Sequence, residues 1–145
     1  MPITIARFDA SHLEGVLALC RTLGWPSYAG DRQRTREALA APGAVTRVAL
    51  DGDDVVGLVH VLGNGHVHAH LSLVGVLPGV RRQGIGRRLV TEAFAASGCR
   101  WLDLVADPGS EPFYRSFLHQ ERTGFRIHPG DPPSDDPARP DPERR

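Results

Sequence analysis

Residues 79–90 read GVRRQGIGRRLV, and the reading of this stretch decides the fold. Gly84 and Gly86 stand between two arginine pairs, Arg81-Arg82 and Arg87-Arg88, where an apolar helical pattern begins. Glycine inside a helix costs up to about 1 kcal/mol, so glycines at its start need a local reason. An apolar strand ends just upstream, near Leu77. A short loop from that strand into a helix leaves the first N–H groups unpartnered and places the positive end of the helix dipole there. Glycines let an anion approach such a backbone closely, and the arginines add charge, so the stretch reads as a pyrophosphate cradle. It is not a Walker A loop, since no Lys-Ser/Thr follows. It is a poor dinucleotide fingerprint, because GxGxxG is incomplete and no chain-opening βαβ unit precedes it. The alternative is a glycine-containing helix start beside solvated arginines.

Outward from this stretch, the hydrophobic pattern predicts a mixed α/β chain. ITIARF is a first strand. SHLEGVLALCRTLG is a helix with Ser11 and Glu14 in capping-box spacing and Gly24 as terminator. WPSY is a loop, and DRQRTREALA is a second helix ended by Pro42-Gly43. AVTRVAL and VVGLVHVL flank DGDD as a hairpin. A long apolar strand covers roughly His66 to Leu77, and the glycine-led helix runs from about Gly84 to Ser97. RWLDLVA is a strand, EPFYRSF a short helix and GFRIHP a last strand. The expected architecture is a mixed, mostly antiparallel central sheet with helices on both faces. One domain is expected over residues 1–128. The Pro/Asp-rich tail, 129–145, lacks apolar periodicity and is expected to be disordered.

Composition narrows the function classes. The 145 residues carry 17 basic and 17 acidic side chains, so the formal net charge is zero. That balance argues against binding nucleic acid or membrane through bulk charge. Every basic residue is arginine, which excludes a lysine nucleophile. Cys20 and Cys99 lie in apolar segments without CxxC spacing and read as reduced core thiols. No signal-peptide pattern and no apolar run long enough to cross a bilayer is seen, so a cytoplasmic protein is expected.

VLPGVRRQGIGRRLV resembles the acetyl-CoA-binding motif of the GNAT N-acetyltransferases, R/Q-x-x-G-x-G/A after a strand. The resemblance extends in element order from residue 3 to about 128. It implies acetyl-CoA as acetyl donor, with Arg81, Arg82, Gln83, Gly84, Gly86 and Arg87 at its pyrophosphate and main-chain groups of Val74 and Val76 along the pantetheine arm. FYRSF resembles the family's F-Y motif, whose tyrosine hydroxyl protonates the departing sulfur; here that residue is Tyr114. Phe113, Tyr114 and Phe117 also read as the core face of a helix. A homodimer is compatible with the resemblance, though no sequence feature requires one.

Amine acetylation needs a base, because an alkylamine is almost wholly protonated at pH 7. Strand alternation in HVHAH puts His66, His68 and His70 on one face with Ser72 and Val74. His70 lies eleven residues before Arg81, where related enzymes often carry a glutamate or histidine base, and histidine titrates near neutrality. Polar filler on a half-exposed strand and a divalent metal site remain the other readings of the three histidines; no metal is expected. The loop GWPSYAGD offers Trp25 and Tyr28 as an aromatic wall for an apolar amine, or Trp25 as a cap on the core. Asp31 or Asp107 would hold the ammonium. Asp107 stands where the family commonly has asparagine, and HQERT is extra, so the acceptor end departs from the pattern.

The expected activity is direct acetyl transfer from acetyl-CoA to a primary amine of a small molecule or peptide. A non-catalytic acyl-CoA sensor would keep the phosphate loop and lack a working acid and base. A nucleic-acid binder would use the arginine patch, against the zero net charge and the acidic tail.

Overall fold

The computed structural model describes residues 2–130. They form two compact units, one ending at Asp103 and the other beginning at Leu104. In the first, β1 (Thr4–Arg7), β2 (Ala44–Asp51), β3 (Asp54–Gly63), β4 (His68–Val76) and β5 (Trp101–Asp103) form one sheet in sequential order. The first three junctions are antiparallel and β4–β5 is parallel. A parallel pair needs a crossover, and α4 (Ile85–Ser97) supplies it. Between β1 and β2 lie α1 (Leu13–Leu23), α2 (Pro26–Ala29) and α3 (Arg32–Leu39). The fold is α+β, with the mixed, mostly antiparallel sheet expected from the sequence.

Local chemistry sets most element boundaries. Gly24 ends α1 with φ 74°, and its N–H bonds back to Arg21 and Cys20. The Ser11–Glu14 capping box is corrected: a 3-10 turn, Ala10–His12, starts the helical run one turn earlier. Asp9 Oδ1 therefore accepts from Ser11 N–H at 2.8 Å, and His12 Nδ1 accepts from Asp9 N–H at 3.0 Å. WPSY is not a plain loop, because Pro26 occupies the first position of α2, where its missing N–H costs nothing. Asp31 caps α3 by accepting from Arg34 N–H at 3.0 Å. The β2–β3 hairpin turns through Gly52 at φ 61°, as DGDD suggests.

Both faces of the sheet are covered over β2 and β3. Val48 and Leu58 are in register and belong to the core cluster with Leu13, Val16, Leu17 and Cys20 of α1. On the other face, a Cβ on Gly57 would sit 3.1 Å from both Ala49 and Leu89, which shows how closely α4 lies on the sheet. Gly75 serves the same purpose on the α1 face: an added Cβ would come within 2.5 Å of Leu23 and 2.6 Å of the Trp25 ring. Gly75→Ala is expected to destabilise the protein by about 1–2 kcal/mol through overpacking, read as a lowered Tm. An unchanged Tm would mean that the Trp25 ring moves aside freely.

His60 is buried, 2% exposed, in β3. The Thr46 hydroxyl donates to the Leu39 carbonyl at 2.7 Å, so its oxygen accepts from His60 Nδ1–H at 3.0 Å. Burial lowers the His60 pKa to about 4. The unfolded chain, with an ordinary histidine pKa near 6.5, therefore binds the extra proton first as pH falls. Stability present above pH 6.5 is lost towards pH 4, by about 2 kcal/mol at pH 5. Thermal melts at pH 7.5 and 5 should show the loss, and His60→Gln should flatten it; an identical slope in the variant would remove His60 as the cause.

Four expectations are adjusted. β4 begins at His68, not His66. β5 spans only Trp101–Asp103 of RWLDLVA. Cys20 is buried, its thiol pushed up to about 11 by burial, but Cys99 is only half-buried; neither is in a disulfide. GFRIHP forms no strand: Phe125 and Ile127 are 82% and 83% exposed, and alternation without a ladder partner does not make a strand. In the second unit, α5 (Glu111–Arg115) is the one α-helix among the described residues. Of the tail expected from residue 129, residues 131–145 lie outside the described residues. No helix of the described residues is long and apolar enough to cross a membrane.

Candidate active site

The glycine-led stretch leaves the sheet through a loop with two left-handed residues and enters α4. After β4, a short 3-10 turn, Pro78–Val80, leads into an exposed loop. Arg82 has φ 63°, the one non-glycine residue in the left-handed region among the described residues, and Gly84 has φ 77°. Left-handed residues turn neighbouring N–H groups to a common side, a concavity suited to anions. Gly84 is the N-cap of α4. The helical bond from Arg88 N–H to the Gly84 carbonyl, 3.1 Å, follows the N–H groups of Ile85 and Gly86, which sit at the positive end of the dipole. Gly86 is helical rather than left-handed.

The arginines have different tasks. Arg81 folds back, its Nε donating to the Val76 carbonyl at 3.0 Å. Arg88 reaches the other way, to the Ile3 carbonyl at 3.1 Å, which ties α4 to the start of β1. Arg82, Gln83 and Arg87 are exposed at the loop and helix start.

Upstream, β4 outruns its neighbour β5, and the point where the β5 ladder stops is called the fork below. β5 pairs with β4 only from His68↔Trp101 to His70↔Asp103, whereas β4 runs on to Val76. Leu77 N–H donates to Val56 on β3 at 2.8 Å. By antiparallel alternation, Gly75 then also faces β3, and the main-chain groups of Val74 and Val76 face the open side of the fork. The Arg81 side chain occupies part of that edge, at the Val76 carbonyl.

A β-bulge in β4 decides which side chains share a face. His60 pairs with Leu73 and Val61 with Leu71, so Ser72 is the extra residue. The bulge reverses the alternation, and Val74 leaves the face that carries His68 and His70. His66 is off the strand altogether, in a turn where Asn64 Oδ1 accepts from its N–H at 2.9 Å. The row of three histidines with Ser72 and Val74 is thus corrected to a pair, His68 and His70. No group of three metal-ligating side chains is gathered among the described residues.

His70 is exposed and stands at the vertex of the fork, in register with Asp103. His68 Nε2 donates to Asp103 Oδ2 at 2.8 Å, and its ring lies 6.2 Å from that of Trp101. Sequence reasoning missed Trp101 and Asp103. Their strand was legible, but nothing in RWLDLVA says that it runs parallel beside HAH.

Trp25 and Tyr28 are half-buried against the α1 core cluster, and Trp25 closes over Gly75. Burial raises the Tyr28 pKa. Asp31 is committed to capping α3. In the second unit, Tyr114 is half-buried on α5, edge-on to Phe113 at 5.1 Å. Phe113 in turn meets Phe117 at 5.4 Å. Burial, with the negative charge of Asp107 adding, pushes the Tyr114 phenol up to about 12. It is protonated throughout the neutral range.

Residues 42–117 match the family model described as the acetyltransferase (GNAT) domain. None of the curated proteins matches the chain. Among solved structures, a GNAT-family acetyltransferase from Streptococcus pneumoniae is 30% identical, covering 89% of this chain and 100% of that one, with a TM-score of 0.69. The aminoglycoside N-acetyltransferase AAC(6')-Iy, bound to the bisubstrate analogue CoA-S-monomethyl-acetylneamine, is 22% identical over 88% of this chain and 99% of that one, with a TM-score of 0.71. An aminoglycoside acetyltransferase from an uncultured soil metagenomic sample, in complex with sisomicin, is 19% identical over 87% and 95%, with a TM-score of 0.68. At these last two identities the likeness is one of fold.

Proposed function

Because the chain belongs to the GNAT acetyltransferase family, we propose that it transfers an acetyl group from acetyl-CoA directly to a primary amine of a small molecule or peptide. The observation that carries this reading is the fork in the sheet leading into a left-handed loop and a helix N-terminus. The loop from Arg82 to Gly84 and the start of α4 suit a pyrophosphate. The outward main-chain groups of β4 at Val74 and the Val76 N–H, beside the carbonyl that Arg81 holds, suit the amide groups of a pantetheine arm. From Val76 to His70 is six residues of strand, about 20 Å at 3.3 Å per residue, so an arm laid along this edge carries its thioester towards the vertex.

When bound, acetyl-CoA supplies the activated acyl carbon. His70 takes the proton released as the ammonium becomes a nucleophilic amine. The amine nitrogen bonds to the thioester carbon, and N–H groups on the fork edge of β4 are the donors at hand for the oxyanion. As the C–S bond breaks, the amine nitrogen gives its second N–H proton to the departing sulfur, and Tyr114 donates a hydrogen bond to that sulfur as its charge develops. A phenol near 12 is a weaker acid than an ordinary thiol near 8.5, so it stabilises the thiolate without surrendering its proton. The role of Tyr114 rests on the F-Y motif and on this protonation state. Neither cysteine is used: Cys20 is buried with a raised pKa, and no acyl-enzyme is required. Two free thiols accord with a reducing, cytoplasmic compartment.

Calorimetric titration with acetyl-CoA, with dephospho-CoA and ATP as controls, tests the reading. Selective micromolar binding followed by CoA release with a primary amine is expected. No binding would overturn it.

A further inference from the structure

We propose that Asp103 is an ammonium-holding residue at the vertex of the fork, seating a cationic amine beside His70, with Trp101 as the wall for its organic part. This rests on the acetyl-transfer reading and adds to it the chemistry that selects the acceptor.

Five observations converge. Parallel register places His68 beside Trp101 and His70 beside Asp103, and partners in register share a face. All four side chains therefore lie on the side of the sheet opposite buried Ala69 and Leu71. Leu62, in register with His70 on β3, adds an apolar side chain 40% exposed to the same face. Asp103 is the last residue of β5 and the last to pair with β4, so its carboxylate and the His70 ring flank the point where the unpaired edge of β4 begins. Among the described residues the Asp103 carboxylate is engaged by His68 Nε2, at Oδ2. A carboxylate accepts at both oxygens, so the bond to His68 orients the group and leaves acceptor capacity for an ammonium. Trp101 is 51% exposed, a large aromatic face beside that carboxylate. An anion next to an aromatic plane suits an organic cation, which is drawn by charge and packs its carbon skeleton on the ring.

His70 and Asp103 then divide the work. Asp103 holds the ammonium form and raises its local concentration at the vertex; His70 removes one proton from it. Asp103 takes no proton and forms no covalent bond.

The test compares wild type with Asp103→Asn on phenethylamine, spermidine and neamine, which are cations at pH 7. Hydroxylamine, a small nucleophile largely neutral at that pH, serves as the contrast. Asp103→Asn is expected to raise KM for every cationic amine it accepts by about tenfold, leaving KM for acetyl-CoA within about twofold and hydroxylamine turnover little changed. Tm should move little, because a half-exposed polar contact such as His68–Asp103 contributes little to stability. Trp101→Ala should weaken phenethylamine more than spermidine.

An amine KM unmoved by Asp103→Asn would overturn the proposal, as would equal losses with hydroxylamine and the cationic amines, or turnover of hydroxylamine alone by wild type. Failure of wild type to bind acetyl-CoA would instead sink the transfer reading itself. The two failures are distinguishable in the first titration.

Discussion

Gly84→Val is expected to raise the Kd for acetyl-CoA by about a hundredfold or more. Gly84 has φ 77°, a region that a β-branched residue does not adopt without strain. A Cβ there would meet nothing within 4 Å, so the substitution creates no clash in the core and the fold is expected to persist. The strain is relieved by moving Gly84 out of the left-handed region, and the loop from Arg82 to the start of α4 loses its shape. Two charge-assisted N–H bonds at roughly 1.5 kcal/mol each amount to about 3 kcal/mol, or more than a hundredfold in Kd. Titration calorimetry measures the loss, and circular dichroism checks that the variant is folded. A folded Gly84→Val protein that binds acetyl-CoA normally would mean that the phosphates lie elsewhere.

Tyr114→Phe is expected to lower kcat by about a hundredfold, at the low end for a positioned proton-bearing group, with the acetyl-CoA Kd unchanged within about twofold. The hydroxyl is asked to act on charge that develops on sulfur only as the C–S bond breaks, so its loss falls on kcat. The ring and its edge-on contact with Phe113 survive the substitution, which limits any structural effect. Because burial and Asp107 hold the phenol up near 12, wild type should show no loss of kcat from Tyr114 ionisation below about pH 10. An unchanged kcat in Tyr114→Phe would remove the residue from the chemistry. A kcat that falls with a midpoint near pH 8 only while Tyr114 is present would show that the phenol ionises far below the value its surroundings imply.

Much of the fold was legible because its signals are local. Gly24 terminates α1, DGDD turns the hairpin, and the glycines of GVRRQGIG open α4; each needs only the neighbouring residues and the conformations they permit. The boundaries that went astray depended on neighbours a little further away. The capping box moved from Ser11–Glu14 to Asp9–His12 because a 3-10 turn precedes α1, whose own N-cap, His12, makes no side-chain cap bond. GFRIHP has the alternation of a strand, yet a strand exists only where another offers a ladder.

The candidate site divides along the same line. The glycine-led loop, Tyr114 and His70 could be singled out as candidates from order and spacing, since a helix start, a motif and a strand are features of neighbouring residues. The bulge at Ser72 could not: one extra residue on β4 takes Val74 off the histidine face, and only pairing with His60 and Val61 reveals it. Trp25 looked available as an aromatic wall, but a residue without a Cβ, Gly75, lets its ring close on the core. Trp101 and Asp103 are 31 and 33 residues beyond His70 in the chain and came to its side through a parallel crossover. What the sequence determined by itself was the class of fold and the glycine-led start of α4, because dihedral preference and hydrophobic period are properties of adjacent residues. What only the tertiary structure decided was the membership of the vertex, because register between strands is set by packing and by distant partners, which no single segment encodes.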